Sequence, residues 1–198
     1  MFLFKKCSRE NCDMYAIEGE EFCLQHADDA EECTLRIIQK IKESSYLKDL
    51  NASSIIVENE KFNDRIFKVC NFSESTFKNI DFSQCNIELS FFHFSHFENC
   101  NFSQSNIKYT VFAGSTFENC IFSQSDIVHT NFLGVHAMKC DFNDSDLYYS
   151  NFTGSYLTSV SFVDCNLKKA DFVNSEREEV SFKYSNYEEA RFEQDTLV

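Results

Sequence analysis

Large hydrophobic residues recur at every fifth position of this chain from Phe62 onward. Of the twenty-eight positions 62, 67, 72 and so on to 197, eighteen are Phe and seven are Ile or Leu. An α-helix has a hydrophobic period of 3.6 residues and a half-buried strand has a period of two, so neither produces this spacing. A fixed short period is typical of a solenoid, whose repeats stack along one axis.

A second, smaller residue accompanies each large one. The residue two places earlier is Ser, Cys, Thr, Ala or Val at twenty-four of the twenty-eight positions, and mostly polar residues fill the places between. We expect the large and the small side chain of each unit to point inward, because the small one leaves room for the large one. Each five-residue unit then forms one side of a coil.

The five-residue units are grouped into a longer repeat of twenty. Residues 100–119 and 120–139 agree at nine of twenty positions, and Gly114, Gly134 and Gly154 lie twenty apart. We expect these glycines at one corner, where the turn requires a positive φ. Four units thus complete one coil, and like residues stack on like in successive coils, as paired strands do.

The units match a known sequence pattern. They read CNFSE, SNIKY, SDIVH, CDFND, SDLYY, SNFTG, CNLKK and ADFVN. This resembles the pentapeptide-repeat family, with its pattern A-(D/N)-(L/F)-x-x, over residues 60–198. The resemblance implies a right-handed quadrilateral β-helix of about seven coils. The predicted fold is therefore an all-β solenoid at residues 52–198, preceded at residues 1–51 by a small cap made of a zinc knuckle and an α-helix.

The cap segment contains a possible metal site. Cys7, Cys12, Cys23 and His26 form the pattern C-x4-C-x10-C-x2-H. Thiolate and neutral imidazole are preferred zinc ligands, and two pairs of ligands on two turns suit a tetrahedral site. Buried free thiols or a disulfide are the alternatives. Because four protein ligands close the coordination shell, we predict a structural Zn²⁺ in a site that resembles zinc knuckles in a general way.

The segment that follows the cysteines predicts an amphipathic helix over residues 28–50. Acidic residues occupy its first turn, where they interact favourably with the helix dipole. Its apolar stripe, at helical spacing, consists of Leu35, Ile37, Ile38 and Ile41. We expect this stripe to cover the first coil as part of the cap; a free helix that binds a partner is the alternative.

The pattern fails near the end of the chain. Arg177 occupies a large inward position, and an unpaired buried charge is too costly there, so we expect residues 175–181 to bulge outward or to open the coil. Such a bulge is either a tolerated irregularity or a partner contact. A solenoid also needs a cover at its last coil. We expect homodimerisation through Tyr187, Phe192 and Leu197, as the resemblance to relatives with C-terminal dimers implies.

The charge balance narrows the classes of partner. With 18 basic and 32 acidic residues the formal net charge is −14, which argues against binding nucleic acid or an anionic membrane and fits a basic protein partner. We see no apolar run long enough for a signal peptide or a membrane span. Ten cysteines without such a signal predict reduced thiols and a cytoplasmic location.

The sequence does not predict an enzyme. Cys100, Cys120 and Cys140 could suggest a redox or metal ladder, but all three occupy the small inward position, where Cys behaves as a small buried hydrophobe. The Asp residues recur periodically and therefore indicate a structural role. We find no pairing of a nucleophile with a base and no phosphate-binding loop.

The leading functional hypothesis is a non-catalytic scaffold for protein–protein interaction, built on a rigid acidic rod. Candidate contacts are the outward column Tyr109, His129 and Tyr149, and the region of Arg177. The family resemblance implies an alternative, a DNA mimic that binds a type II topoisomerase such as gyrase and protects it from quinolones. A third hypothesis is a zinc-dependent regulator whose cap detaches.

Overall fold

The computed structural model describes residues 4–193, and the structural statements below concern these residues. They contain one α-helix, α1 (Ala30–Glu43), and two short 3₁₀ turns, Leu24–His26 and Tyr187–Glu189. The strands are β1 (Tyr46–Lys48), β2 (Ile56–Glu58), β3 (Ile66–Lys68), β4 (Thr76–Lys78), β5 (Asn86–Glu88), β6 (His96–Glu98), β7 (Asn106–Lys108), β8 (Thr116–Glu118), β9 (Asp126–Val128), β10 (His136–Met138), β11 (Tyr156–Thr158) and β12 (Glu176–Glu178).

The strands build two opposite walls of a right-handed quadrilateral β-helix of about seven coils. One parallel sheet has the order β1-β3-β5-β7-β9 and the other has the order β2-β4-β6-β8-β10-β11-β12. Each residue pairs with the residue twenty places later, as Ile87 does with Ile107. Isolated parallel bridges such as Lys61↔Asp81 connect the coils along the remaining walls. The predicted all-β solenoid and its coil of twenty residues are confirmed.

The ladder of paired coils begins at β1, because Tyr46–Lys48 pairs with Ile66–Lys68. These first paired residues lie before residue 52, so the first coil begins within the segment that was predicted to be the cap. The division into 1–51 and 52–198 stays a prediction.

A left-handed residue at almost every corner turns the chain. Gln84, with φ 58°, and Asn99, with φ 53°, represent a series that recurs every five residues. Asn is among the residues that tolerate a positive φ best after Gly, but the series also includes Val69 and Leu89. Gly134 and Gly154 both have φ 63°, which confirms the predicted glycine corner.

Stacked phenylalanine rings fill the interior. The Phe102 ring lies 4.8 Å from Phe82, with an interplanar angle of 9°, and 4.8 Å from Phe122, at 2°. Across the corner, Phe102 meets Phe112 edge to face, at 81°. Both arrangements are favourable for aromatic quadrupoles. The predicted inward files of Phe are therefore confirmed.

The small inward residues donate hydrogen bonds to backbone carbonyls of the preceding coil. Ser95 Oγ donates to the Phe72 carbonyl at 2.9 Å, and Cys100 Sγ donates to the Phe77 carbonyl at 3.4 Å. A hydroxyl can occupy this buried place because the carbonyl satisfies it. Burial raises the pKa of Cys70 and of Cys85 to about 12, so these thiols stay protonated at neutral pH. They are small core residues, as expected.

Helix α1 contributes to the same core as the first coils. Ile37 and Ile41 are buried in one cluster with Leu47, so the helix covers the N-terminal coil. Two details of the predicted helix were wrong. Leu35 is 59% exposed and Cys33 is buried in its place, since Cys33, Ile37 and Ile41 follow one another at four-residue spacing. The helix also ends at Glu43, because the following residues enter β1.

The predicted bulge at Arg177 was wrong as well. Strand β12 stays in register with β11, and Leu157 pairs with Arg177. The Arg177 side chain is exposed, and its guanidinium carbon lies 4.8 Å from the centroid of the Phe192 ring. No described coil covers β12, so the charge reaches water without leaving the ladder.

Tyr187 stacks on Phe192, at 4.1 Å, while Leu197 lies outside the described residues.

Among residues 4–193, no helix combines the length and the apolar character that crossing a bilayer requires.

Removing one stacked ring should destabilise the rod strongly. Phe102→Ala deletes a fully buried ring with stacked neighbours on both sides, and we expect a loss of about 3–5 kcal/mol in the free energy of unfolding. Phe94 is 67% exposed, so Phe94→Ala is a matched control that should cost less than about 1 kcal/mol. Denaturant titrations measure both values, and equal losses would contradict the inward stacks.

The glycine corner offers a second test. A Cβ on Gly114 would lie 2.5 Å from the Phe94 ring, whereas a Cβ on Gly134 would meet nothing within 4 Å. Gly134→Ala should therefore cost only the left-handed strain of about 1–2 kcal/mol, and Gly114→Ala should cost more. Adding Phe94→Ala should remove the excess at Gly114 and leave the cost at Gly134 unchanged. Denaturation of the double-mutant cycle checks this coupling.

Candidate metal centre and exposed surfaces

A short hairpin presents the first two cysteines of the cap. Lys6 bridges Tyr15 in antiparallel fashion, and the Cys7 amide donates to the Met14 carbonyl at 2.9 Å. The hairpin holds Cys7 in its first arm and Cys12 in the connecting turn. Its conformation is therefore fixed by backbone hydrogen bonds on both sides of the cysteines.

A 3₁₀ turn presents the other two candidate ligands. Cys23 immediately precedes Leu24–His26, and the His26 amide donates to the Cys23 carbonyl at 2.9 Å. This tight turn brings the Cys23 thiol and the His26 ring to the same side. The x₂ spacing that suggested a ligand pair thus corresponds to one turn of backbone.

The structure brings all four predicted ligands together. Their Sγ and Nδ1 atoms lie within 4.8 Å of one another. The Cys12 and Cys23 sulfurs are 3.8 Å apart, and His26 Nδ1 lies 3.4 Å from Cys23 Sγ and 3.5 Å from Cys7 Sγ. In a tetrahedral zinc site with bonds of about 2.3 Å to sulfur and 2.0 Å to nitrogen, these separations are about 3.8 Å and 3.5 Å. The donor set therefore fits zinc.

The electrostatics of the cluster favour a cation. Burial raises the pKa of Cys7, but hydrogen bonds from the Cys23 and Arg9 backbone and from the His26 ring outweigh it and lower this pKa to about 6. Burial, together with the neighbouring thiols of Cys7 and Cys12, raises the pKa of Cys23. Ionisation of one thiol thus disfavours ionisation of the next, because like charges repel at this distance. A metal ion that replaces the protons would relieve this repulsion.

The cysteine segment is fastened to the first coils. The buried amide of Asn51 donates to the Ala16 carbonyl at 2.7 Å, and Asn71 in the next coil donates to Asn51 at 2.7 Å. Ile17 is 1% exposed and belongs to the main core. With four protein ligands, a metal here would have no open position for substrate, so it would hold the cap in place.

Cys33 does not join the Cys₃His group. Its Sγ lies near Glu20 and Arg36 instead, at 3.8 Å and 3.5 Å. Cys33 therefore supplies a control position for metal binding.

The predicted outward column exists as a stack of rings. Tyr109 and His129 lie 5.2 Å apart at 16°, and His129 and Tyr149 lie 4.8 Å apart at 24°. The two tyrosines are about half exposed. Lys169 continues the column, with its ammonium 5.3 Å from the Tyr149 ring. Sequence reasoning missed Lys169, although its place twenty residues after Tyr149 was a sufficient signal. Arg177 lies apart from this column, on strand β12.

Family models for pentapeptide repeats match most of the solenoid. One, the pentapeptide repeat region, matches residues 115–192, and another, pentapeptide repeats (8 copies), matches residues 66–104 and 95–134. Among curated proteins, no sequence matches significantly.

Solved structures that are similar to this chain include those of QnrB1 and HetL. A trypsin-treated form of QnrB1, described as a plasmid-mediated fluoroquinolone resistance protein, has a TM-score of 0.57 and 14% identity, over 71% of this chain and 80% of that chain. HetL from Nostoc sp. strain PCC 7120, described as involved in heterocyst differentiation regulation, has a TM-score of 0.37 and 9% identity, over 83% and 97%. At these identities the likeness to QnrB1 shows the fold alone.

Metal binding can be tested at single ligands. We expect the wild-type chain and Cys33→Ser to retain one zinc ion per chain after dialysis, because Cys33 lies outside the cluster. Cys12→Ser and His26→Ala each remove one ligand and should weaken zinc binding at least about 100-fold. Elemental analysis and competition with a chromogenic chelator measure both quantities. Equal zinc retention by all four proteins would rule out the Cys₃His site.

Proposed function

Because the chain belongs to the pentapeptide-repeat family, we propose that it is a non-catalytic scaffold that binds another protein along one face of a rigid acidic rod. Zn²⁺ bound by Cys7, Cys12, Cys23 and His26 stabilises the N-terminal cap of this rod. The zinc has a structural role, since its four ligands leave no open coordination position.

The observation that carries this proposal is the stacked column of Tyr109, His129 and Tyr149. Three rings stack along one corner, where Tyr109 and Tyr149 are exposed and His129 is partly exposed. Tyr is enriched in interface cores, because it buries a large area and loses little side-chain entropy. The hydrogen-bonded ladder holds the three rings at a fixed spacing, so a partner would meet a preorganised surface.

Charge favours a basic partner. The chain has a formal net charge of −14, and a field of this sign attracts basic surfaces and repels nucleic acid and anionic lipid. Several carboxylates are already paired along the walls, as Glu88 is with Lys68 at 2.8 Å. Such exposed pairs contribute little individually, so the net negative charge dominates at longer range.

The C-terminal end and the compartment belong to the same proposal. Phe192 and the exposed Tyr187 present aromatic surface at the last described coil, which supports homodimerisation there. The proposed zinc site supports a cytoplasmic location, because thiolate ligands require reduced cysteines.

A second candidate function is mimicry of DNA toward a type II topoisomerase such as gyrase. The negative charge and the rod-like repeat support it, and QnrB1, a protein of the same fold, is described as a fluoroquinolone resistance protein. It ranks second because mimicry of DNA needs a pattern of negative charge, and the exposed aromatic column carries no negative charge.

The scaffold can be tested by comparing two pairs of tyrosines. The double variant Tyr109→Ser and Tyr149→Ser removes both outer rings of the column, and we expect at least a tenfold loss in the affinity for the captured partner, equivalent to about 1.4 kcal/mol. The matched control, Tyr156→Ser and Tyr184→Ser, changes tyrosines of similar or greater exposure elsewhere and should bind normally. Affinity capture from host extract with quantitative mass spectrometry identifies the partner, and titration of the purified partner gives the affinities.

Equal binding by both double variants would exclude the column as the contact. A gyrase supercoiling and cleavage assay with and without quinolone tests the second candidate, and no effect at micromolar protein would reject it.

A further inference from the structure

A cleft of about 360 Å³ lies where the cysteine hairpin meets the wall of the β-helix. The hairpin contributes Asp13, Met14 and Tyr15, and the second and third coils contribute Glu74 and Phe91. The cleft is therefore composite: neither the cap nor the solenoid forms it alone. It is separate from the column around His129, which begins farther along the rod.

Aromatic rings form most of the apolar wall of this cleft. Phe4 and Tyr15 lie 5.6 Å apart at 57° on the hairpin side. On the β-helix side, Phe91 and His93 lie 6.4 Å apart at 83°. The cleft is therefore lined by aromatic rings on two sides. Planar cations and ammonium groups bind the faces of such rings.

Two carboxylates stand at the rim of the cleft, and its floor is polar. Asp13 and Glu74 are both exposed, and the buried Ser53 and Ser73 lie at the base. Within residues 4–193, no Lys or Arg side chain lines the cleft. Lys6 approaches Asp13 from outside at 3.4 Å, but both side chains of this pair are mostly exposed, so water weakens the pair.

The imidazole in the cleft does not oppose a cation. Burial lowers the pKa of His93, and the nearby charge of Glu74 offsets this only in part. His93 is therefore neutral at pH 7. The cleft thus presents a net negative charge with aromatic walls.

From this combination we propose that the cleft binds an arginine side chain carried on an exposed segment of the partner protein. A guanidinium group is planar, so it stacks on the exposed Tyr15 ring while its N–H groups donate to Asp13, Glu74 and the serine hydroxyls. The methylene stem of arginine matches the apolar part contributed by Met14. This inference rests on the proposed scaffold function and adds a second contact to it, at the N-terminal end of the rod.

The composite construction also links this contact to the cap. Asp13, Met14 and Tyr15 lie between the proposed zinc ligands Cys12 and Cys23, so the position of one wall of the cleft depends on the fold of that loop. The other wall belongs to the coils of the solenoid. Loss of the loop structure would therefore displace one wall from the other.

The test uses the full chain and two short peptides, Ac-Gly-Arg-Gly-NH₂ and its citrulline analogue. Citrulline keeps the shape of arginine but has no charge. Titrations followed by two-dimensional amide NMR should show saturable shifts with the arginine peptide, centred on residues 13–15, 73–74 and 91–93. The citrulline peptide should bind roughly three- to tenfold more weakly, and added salt should weaken only the arginine complex.

Matched variants locate the contact. Phe91→Asn removes one ring and is compatible with the coil, since Asn71 and Asn131 occupy equivalent positions. Its control is Ile121→Asn, which changes an exposed residue on a different wall and has Asn101 as its equivalent neighbour. Glu74→Gln is paired with Asp164→Asn, at another corner of positive φ. We expect Phe91→Asn and Glu74→Gln to bind arginine roughly three- to tenfold more weakly than the wild type does. The two control variants should bind it with unchanged affinity.

Two results would overturn the inference: equal binding of the arginine and citrulline peptides, or equal effects of the cleft variants and their controls. Partner capture separates this outcome from failure of the scaffold function. If Phe91→Asn with Glu74→Gln captures the partner as well as the wild type does, the cleft is not a contact and the scaffold function stands. If the wild-type chain captures no partner and still binds the arginine peptide, the scaffold function fails and the cleft remains a binding site.

Discussion

The structure depends on backbone hydrogen bonds between neighbouring coils. The Phe102 amide donates to the Ile121 carbonyl of the next coil at 2.6 Å, while the Asn101 amide donates to the Ile80 carbonyl of the previous coil at 2.9 Å. Each coil is therefore satisfied only by its two neighbours, and the stacked Phe rings follow from the same translation. Stability in such an array is close to a sum of neighbour interactions, so the two ends differ from everything between them.

The two ends are treated differently by this chain. At the N-terminal end, α1 and the cysteine segment cover the first coil, with Ile17, Ile37 and Ile41 joined to the main core. At the far end of the described residues, Arg177 and Tyr187 lie over Phe192 instead of a further coil. The Cys₃His group belongs to the covered end. The proposed zinc ion would stabilise a segment that is too short to have a core of its own.

The features that the sequence predicted correctly are those that its periodicity or a single tight turn determines. Phe102 and the column of Tyr109 were predictable because every coil repeats the same backbone, and the ligand spacing around Cys23 was predictable because one tight turn fixes it. Leu35 was misplaced because a helix with several apolar residues has more than one possible stripe. Arg177 was misread because its position in the repeat indicates an inward side chain, whereas the structure exposes it beside the Phe192 ring.

The cleft beside Phe91 lay beyond sequence reasoning for a related reason. Its two walls come from segments with different local structure, and only their docking brings Tyr15 near Phe91.

The constant pairing of each residue with the one twenty places later has a consequence for how such a chain can evolve. Duplication or loss of a whole coil lengthens or shortens the rod by roughly 4.8 Å and leaves every surface on its original side. Duplication of a single unit of five would instead turn everything beyond it by about a quarter of a circle. The length of the rod and the orientation of its binding surfaces can therefore change independently. Gain or loss of twenty residues changes the length, and gain or loss of five changes the orientation.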